Sequence, residues 1–366
     1  MKIFTSNDVL LLAKRLNNKK RNYLLVNPIQ GKHLPTKPAV ALEMMNSLGE
    51  KVAKNYSEAR LVIGFAETAT AIGAIVAKNI SDDCFYLQTT RETFKVEFIE
   101  FLEEHSHAPE QKLYSKGLSE LINQTSEIIF VDDELSTGKT LLNIVRQLKN
   151  KFHALNDKKI CAASIINRLS EENLAALAAE NISCVYLVKL NQSFDVEKIS
   201  VEPAREVEPI NKRIPPYEIN FSADPRRGVK IGTYINQCDE LGNFIAEMLG
   251  DEKIGEFLIL GTEEFMLPAI IAGNHLESKN FSIFTHSTTR SPIGISNDKN
   301  YPINNGFKLR SFYNSTRTTY IYNLKHYDAA IIVTNAENFS LGLEDLISAL
   351  SFHGINKIFC VEVKNV

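Results

Sequence analysis

The chain has 366 residues, more than one hydrophobic core usually organises, which predicts two domains. Hydrophobic residues make up 44% of the sequence and charged residues 23%, proportions typical of a globular protein and not of a disordered chain. The 41 basic and 44 acidic residues leave a net charge of −3. This balance argues against sequence-independent nucleic-acid binding, because such binding requires a basic surface.

The apolar segments and the cysteines indicate the cellular compartment in which the protein is expected. No apolar run is long enough to span a bilayer or to form the core of a signal peptide, so we expect neither a membrane partner nor export. The five cysteines are odd in number, scattered and never spaced as C-x-x-C. They are expected to be buried thiols in a reducing compartment rather than disulfides or a zinc site. These features predict a cytoplasmic protein.

Strand-like and helix-like segments alternate along the first half of the chain. Strands are predicted at 61–65, 84–87, 128–131, 160–166 and 184–188, and helices at 70–78, 96–104, 140–148 and 171–179. This alternation predicts an α/β fold with a parallel sheet covered by helices. The proline-rich segment 191–227 is expected to be a linker or covering loop, which gives domains 1–210 and 211–366.

Four landmarks of the first half recur, in the same order, in the second half. They are Leu48-Gly49 with Leu241-Gly242, the strand ends Gly64 and Gly261, Thr89-Thr90-Arg91 with Thr288-Thr289-Arg290, and strand 129–131 with 331–333. The offset between the copies rises only from 193 to 202 residues. The second domain is therefore predicted to be a duplicated α/β domain, with two unrelated α/β domains as the alternative.

The segment 128–140 carries the main chemical signal. An apolar strand is followed directly by Asp132 and Asp133, and then by Ser-Thr-Gly-Lys-Thr at 136–140, which begins a helix. In parallel sheets, ligands bind at this carboxyl end of a strand. Backbone N–H groups and hydroxyls around Gly138 can surround a phosphate, and the carboxylates can accept hydrogen bonds from vicinal hydroxyls. The pattern predicts a sugar-phosphate site; a P-loop is disfavoured because it requires glycine at the position of Asp133.

This segment resembles the 5-phosphoribosyl-1-pyrophosphate (PRPP) signature of the type I phosphoribosyltransferases. In that signature an apolar strand, two acids and three variable positions precede Thr-Gly-x-Thr. The resemblance implies that Asp132 and Asp133 hold the ribose hydroxyls. It implies that the 5′-phosphate is bound by Ser136, Thr137, Gly138, Lys139 and Thr140. It also implies transfer from PRPP to a nitrogenous acceptor, with Mg²⁺ bound mainly through PRPP.

Other segments lie where this family would need them. The loop 64–69 corresponds to the pyrophosphate loop, with Glu67 and Thr68 as PRPP-binding residues. Arg91 ends the next strand and would contact pyrophosphate, acting with the acid pair in catalysis. Residues 92–117 would form a flap that excludes water. Within that flap, Glu-Glu-His-Ser-His at 103–107 has no assigned role, and a solvated acidic helix end is the favoured interpretation.

The second half carries a second resemblance. Thr289-Arg290-Ser291-Pro292 resembles the motif of the TRSP domain, which follows a phosphoribosyltransferase domain in proteins encoded with bacterial tellurite-resistance and stress genes. The repeat offset places Thr334 and Asn335 opposite the acid pair, so this copy should be degenerate and not bind PRPP in the same way. We hypothesise an anion-binding or acceptor-binding site there, with packing as the alternative. Its members are His286, Thr289, Arg290 and Ser291.

The sequence thus predicts a PRPP-dependent pentosyltransferase whose partners are PRPP and a small-molecule acceptor, with a homodimer left open. Ser136 stands where purine-using members carry an acid, which favours a loop of the orotate or uracil type and leaves the acceptor open. The alternative is a PRPP-binding regulator without catalysis. A PRPP-forming diphosphokinase, which also pairs two such domains, is less favoured because its intact signature would be expected in the second copy.

Overall fold

The computed structural model describes residues 2–16, 21–93, 96–101, 111–208, 210, 212–250 and 255–366. The chain forms two compact units, each made of separate segments. The first comprises Met1–Thr5, Glu43–Asn191 and Ala223–Asn236, and the second comprises Ser6–Leu42, Gln192–Ser222 and Gln237–Val366. The sequence predicted a single boundary at 210/211. Instead, the segment Ser6–Leu42, which was predicted to belong to the first domain, is part of the second unit.

The strands within the described residues are numbered in chain order. They are β1 (Leu11–Lys14), β2 (Tyr23–Val26), β3 (Ala59–Gly64), β4 (Phe85–Gln88), β5 (Phe98–Phe101), β6 (Gln111–Tyr114), β7 (Glu127–Leu135), β8 (Lys159–Asn167), β9 (Ile182–Lys189), β10 (Arg205–Glu206), β11 (Tyr217–Phe221), β12 (Val229–Lys230), β13 (Glu256–Gly261), β14 (Ser282–Ser287), β15 (Gly306–Arg310), β16 (Thr318–Tyr322), β17 (Ala329–Thr334) and β18 (Ile358–Asn365).

The helices of the same residues are numbered in the same way. They are α1 (Ser6–Val9), α2 (Pro38–Asn55), α3 (Thr70–Ile80), α4 (Leu118–Gln124), α5 (Lys139–Lys151), α6 (Glu171–Ala178), α7 (Ile231–Leu249), α8 (Leu267–Ser278) and α9 (Ser340–Phe352), with 3₁₀ turns at His153–Asp157 and Pro225–Arg227. No helix in the described part of the chain combines the length and apolarity needed to cross a membrane. All five cysteines are free thiols; four are buried, whereas Cys184 is partly exposed and departs from the expectation that all five would be buried.

The first unit is built on a six-stranded sheet of order β12-β4-β3-β7-β8-β9, in which only the edge pair β12–β4 is antiparallel. Alternate side chains of the strands, such as Ile63 and Phe130, form a core with α5 and the β5–β6 hairpin. The intervening positions, such as Gly64 and Tyr86, face α3 on the other side, where Gly73 approaches them closely. The predicted α/β fold with a parallel sheet is confirmed.

Two local predictions were wrong. The predicted helix 96–104 contains strand β5, in which Ile99 and Phe101 are buried while Glu100 is exposed. This period-two burial suits an aromatic and β-branched strand better than a helix. The predicted linker also contains β11, an edge strand that pairs with β18. Only its last residue is buried, and its sequence does not show the alternation of apolar and polar residues by which a strand is usually predicted. The tip of the predicted flap, including 103–107, lies outside the described residues.

The second unit contains a five-stranded parallel sheet of order β11-β18-β17-β13-β14, together with the β1–β2 pair and a small β10-β15-β16 sheet. Its β14-β13-β17-β18 order reproduces β4-β3-β7-β8 of the first unit. In both copies an antiparallel hairpin precedes the third of these strands in the sequence, and a helix follows that strand. The identical strand order is what the predicted duplication requires.

The match between the copies extends to single hydrogen bonds. In the first unit the Thr89 N–H donates to the carbonyl of Gly64 at 2.9 Å, and in the second the Thr288 N–H donates to the carbonyl of Gly261 at 3.2 Å. Both threonines were sequence landmarks. Their backbones occupy equivalent places at the carboxyl edge of each sheet.

Packing at Gly64 provides a test of this fold. A Cβ atom at this position would lie 2.6 Å from the Tyr86 hydroxyl and 3.1 Å from the Ala69 carbonyl oxygen. The Tyr86 hydroxyl donates to the Thr70 carbonyl and cannot move away without losing that bond. We therefore expect Gly64→Ala to lower the free energy of unfolding by about 1–3 kcal/mol. Urea unfolding followed by far-ultraviolet circular dichroism measures this change.

Tyr86→Phe is the matched background, because it removes the nearest clashing atom. In that background Gly64→Ala should cost less than in the wild type, and the difference is the coupling between the two sites. An equal cost in both backgrounds would contradict this packing of Gly64 against Tyr86.

Candidate functional site

The predicted site residues of the first unit converge on one edge of its sheet. Strands β4, β3 and β7 are parallel neighbours, so their carboxyl ends lie side by side. The loop that follows β3 is bonded to both neighbours: the Phe65 N–H donates to the Val131 carbonyl at 2.9 Å, and the Ala66 N–H donates to the Thr89 hydroxyl at 2.8 Å. The three loops thus form one hydrogen-bonded surface.

The acid pair lies where β7 continues past the end of β3. In this extension β7 pairs only with β8, and Asp132 lies opposite Ser164. The Asp132 carboxylate accepts the backbone N–H of Asp133 at 2.9 Å. Burial raises the pKa of Asp132 well above its usual range, and the neighbouring Asp133 carboxylate raises it further. Ionised Asp132 therefore gains from hydrogen-bond donors, which a vicinal diol can supply.

The loop 136–140 has the geometry of an anion site. Gly138 precedes α5 with a φ of +70°, a left-handed conformation that favours glycine. A Cβ there would also lie 3.1 Å from Leu169. The N-terminus of the 13-residue helix points its N–H groups and dipole at this loop. Thr137 and Lys139 are exposed, and Ser136, Gly138 and Thr140 are partly buried. The loop can therefore receive a phosphate from solvent.

Sequence reasoning missed one partner of this edge, Arg168. It follows β8, and its guanidinium lies 3.2 Å from the carboxylate of Glu134, with both side chains largely buried. Glu134 is the third acid of the run, and a third carboxylate beside the acid pair needs compensation. In the sequence, the third acid, Glu134, was the feature that indicated a basic partner near the site. Arg168 balances its charge next to the site.

The predicted pyrophosphate loop follows β3. Glu67 is buried and Thr68 is partly exposed, and the peptide bond between Ala66 and Glu67 is cis. Arg91 is exposed directly after the buried Thr90. The structure thus brings the loop and the arginine to the same sheet edge as the acid pair.

A cavity of about 560 Å³ in the same unit lies elsewhere, with Tyr56, Lys159 and Tyr186 among its lining residues. Lys159 begins β8, so this cavity is at the amino ends of the strands. It contains none of the predicted site residues. Parallel sheets bind ligands at the carboxyl ends of their strands, which is where the acid pair lies and this cavity does not.

The predicted residues of the second unit divide between two environments. His286 is buried in β14, and its Nε2 lies 2.8 Å from the Tyr322 carbonyl oxygen. Burial lowers the pKa of His286 to about 4, so the ring is neutral at pH 7 and donates to that carbonyl. Arg290 instead lies at the end of the strand, 2.9 Å from Glu263 and 3.6 Å from Glu264. These contacts favour a packing role for His286 and an electrostatic one for Arg290.

Thr289 and Ser291 form hydrogen bonds that fix the backbone on either side of Arg290. Thr289 is buried and exchanges two backbone hydrogen bonds with Tyr320. Its hydroxyl accepts the Ser291 N–H at 3.3 Å, and the Ser291 carbonyl accepts the Tyr322 hydroxyl at 2.8 Å. Together these bonds set the position of Arg290.

The positions equivalent to the acid pair are neutral in the second unit. The Thr262 hydroxyl donates to that of Thr334 at 2.9 Å, and the Tyr313 hydroxyl donates to the Asn335 side-chain oxygen at 2.6 Å. The side chains of Thr334 and Asn335, which would face a diol, are thus already hydrogen-bonded within the second unit. Among the described residues, no group of three or more His, Cys, Asp or Glu side chains is arranged to hold a metal ion.

The pKa of Asp132 leads to a pH-dependent prediction. Its folded-state pKa is raised above the unfolded value, so wild-type stability falls as pH rises from the usual aspartate range through the raised pKa. Asp132→Asn has no carboxyl to ionise, so it should melt above the wild type at neutral pH. This difference should shrink as pH falls.

Thermal melts between pH 4 and pH 8 measure this difference. Asp157→Asn, at an exposed position of the same unit, is the control for the loss of a surface carboxylate. A melting-temperature difference for Asp132→Asn that stays constant across this range would contradict the assignment.

Comparison with known proteins matches two successive parts of the chain, and the first match includes most of Ser6–Leu42, which packs with the second unit. A model of the phosphoribosyl transferase family matches residues 9–192, and a model of the TRSP domain that lies C-terminal to this transferase matches residues 226–350. A search of curated proteins found no match.

Several solved structures are similar to parts of the chain. Adenine phosphoribosyltransferase from Trypanosoma brucei, in complex with AMP, pyrophosphate and ribose-5-phosphate, is 18% identical over 42% of this chain and 65% of its own, with a TM-score of 0.32. Orotate phosphoribosyltransferase from Aeropyrum pernix is 16% identical over 50% of this chain and 89% of its own, with a TM-score of 0.32. Adenine phosphoribosyltransferase from Leishmania donovani is 14% identical over 53% and 84%, with a TM-score of 0.36.

The transferase model matches half of the chain. The protein therefore belongs to the phosphoribosyl transferase family, with a TRSP domain following its transferase domain.

Proposed function

We propose that the protein transfers the phosphoribosyl group of PRPP to a nitrogenous, nucleobase-like acceptor and releases pyrophosphate. The observation that supports this most is the adjacency of three loops at the ends of β4, β3 and β7. They supply the guanidinium group of Arg91, a loop that contains Glu67 and Thr68, and an acid pair followed by a hydroxyl-rich turn. This order suits a ligand with a diol between a phosphate and a pyrophosphate.

The acid pair and the turn hold the sugar phosphate in this proposal. Asp132 and Asp133 accept hydrogen bonds from the ribose hydroxyls, and these donors compensate the cost of ionising Asp132 at a partly buried position. The 5′-phosphate lies in the loop 136–140, where backbone N–H groups, hydroxyls and the N-terminus of α5 meet. The ribose C1 is thereby directed towards the loop after β3.

The reaction breaks the bond between C1 and the pyrophosphate oxygen and forms a bond between C1 and an acceptor nitrogen, which loses its proton. Arg91 and the loop with Glu67 and Thr68 face the leaving group, and the arginine stabilises its developing charge. Mg²⁺ bound through pyrophosphate would supply further neutralisation, and the carboxylates and hydroxyls of this edge are oxygen ligands of the kind it prefers. The chain positions the reactants.

The acceptor is less constrained than PRPP. The Ser136 hydroxyl is too weak a base to remove the proton of the acceptor, which a carboxylate side chain at that position could do. We favour an orotate-like or uracil-like ring, whose ring nitrogen gives up its proton to the departing pyrophosphate or to solvent as the bond to C1 forms.

PRPP binding tests the first half of this proposal. Asp132→Asn combined with Asp133→Asn should weaken PRPP binding by about 100-fold or more, because each amide loses acceptors that hydrogen-bond to the diol. Isothermal titration calorimetry in the presence of Mg²⁺ measures the affinity. Asp157→Asn is the matched control and should bind as the wild type does. Unchanged affinity in the double variant would refute the assigned site.

Turnover tests the second half. Nucleobase-like acceptors are screened for PRPP-dependent release of pyrophosphate, and Arg91→Ala should lower the rate about 10-fold or more while PRPP still binds. If PRPP binds with an affinity that depends on Asp132 and Asp133 but no acceptor yields pyrophosphate, the protein is better explained as a PRPP-binding regulator.

A further inference from the structure

Glu263 of the second unit occupies the position that Ala66 has in the first. The Ala66 N–H donates to the Thr89 hydroxyl at 2.8 Å, and the Glu263 N–H donates to the Thr288 hydroxyl at 3.0 Å. Both residues lie two positions after the glycine that ends the strand. In the second copy, the loop that faces pyrophosphate in the proposed function therefore carries a carboxylate at the position of Ala66, in addition to Glu264, which aligns with Glu67.

The carboxylate of Glu263 is fully buried and held on both oxygens. Oε2 accepts from Nε of Arg290 at 2.9 Å and from Nη1 of Arg317 at 3.3 Å, and Oε1 accepts from the hydroxyl of Ser311 at 2.6 Å. Two guanidinium groups and a hydroxyl around one anion are the donors that proteins also use for phosphate. Glu263 is thus bound as a ligand would be.

The surroundings of this carboxylate are also positively charged. The buried ammonium of Lys32 donates to the backbone carbonyls of Glu263 at 2.6 Å and Thr288 at 2.9 Å. Glu264 adds a second carboxylate 3.6 Å from Arg290. Within this cluster of described residues, three cations face two carboxylates, so the edge would attract anions if Glu263 were absent.

Glu263 also anchors a hairpin. Ser311 and Arg317 lie at the two ends of the turn that joins β15 to β16, and both bind its carboxylate. This hairpin corresponds to β5–β6 of the first unit, since Thr289 bridges to Tyr320 as Thr90 bridges to Lys112. The hairpin is therefore held at the sheet edge by the chain itself.

The two equivalent arginines differ accordingly. Arg91 is exposed, whereas the side chain of Arg290 is only 12% exposed and paired with Glu263. The guanidinium group at the same backbone position is thus exposed in one copy and largely buried beside Glu263 in the other.

We propose that the sheet edge of the second unit is a phosphate-type or pyrophosphate-type anion site in which the Glu263 carboxylate replaces the ligand. The inference rests on the proposed function only in taking the loop after β3 as an anion loop. The Glu263 carboxylate is then the anion that occupies the predicted TRSP-motif site. It holds the β15–β16 hairpin at the sheet edge without an external ligand.

Removing the carboxylate should reopen the site. We choose Glu263→Gly because Glu263 has a φ of +47°, which glycine adopts without strain. The full-length variant should melt roughly 6 °C or more below the wild type, because the partly buried guanidinium groups of Arg290 and Arg317 lose the Glu263 carboxylate. Phosphate or pyrophosphate at about 10 mM should restore at least half of that loss at matched ionic strength, and calorimetry should show one more pyrophosphate site than in the wild type.

Two controls separate this site from a simple buried ion pair. Glu263→Gln removes the charge but keeps the volume, so it should gain no pyrophosphate site. Asp345→Ala removes a buried carboxylate that pairs with a different arginine, Arg310, and phosphate should not restore its stability. Equal restoration of Asp345→Ala and Glu263→Gly, or none in Glu263→Gly, would overturn the proposal.

A further variant covers the case in which Glu263→Gly does not fold. If the site is filled by Glu263, Arg290→Gln should leave phosphate and pyrophosphate binding of the otherwise unchanged chain as in the wild type. A loss of one pyrophosphate site in Arg290→Gln would show that the edge takes an external ligand, and would refute the proposal. Each variant is compared with the wild type by its number of pyrophosphate-binding sites. This difference can be measured even if the first unit does not bind PRPP, so the two proposals can fail separately.

Discussion

Everything at the carboxyl edge of the first unit depends on how Thr89 holds the neighbouring strand end. Its N–H donates to the Gly64 carbonyl, and its hydroxyl accepts the N–H of Ala66 and donates to the side-chain oxygen of Gln111. One residue at the end of β4 therefore sets the path of the loop after β3 and connects it to the hairpin. Because this residue is fully buried, water does not compete for its bonds.

The same arrangement recurs at Thr288, with a different chemical outcome. The backbone geometry is preserved, but the side chains on it have changed from a small residue to a carboxylate at Glu263 and from an acid pair to Thr334 and Asn335. The two units thus share this strand order and backbone geometry but not the side chains at the sheet edge. The first edge keeps charges that a ligand can compensate, while the second compensates its charges internally.

Elements with strong local patterns were predicted well. The buried strands β3, β7 and β8 are apolar runs bounded by turn residues, and the acid pair and Gly138 followed from spacing alone. Elements without such patterns were not. Strand β11 buries only Phe221, and β5 is a four-residue segment of a hairpin, so tertiary pairing decided both.

What the sequence by itself determined is the order of most of the elements, the recurrence of its landmarks in the second half and the glycine turn before α5, because each depends on short-range spacing. Only the tertiary structure decided the partners of Glu263, which lie 27, 48 and 54 residues away at Arg290, Ser311 and Arg317. It likewise decided that Ser6–Leu42 belongs to the second unit. The physical reason is that a buried ion pair depends on which strand ends become neighbours, and that choice is made by sheet packing rather than by local sequence.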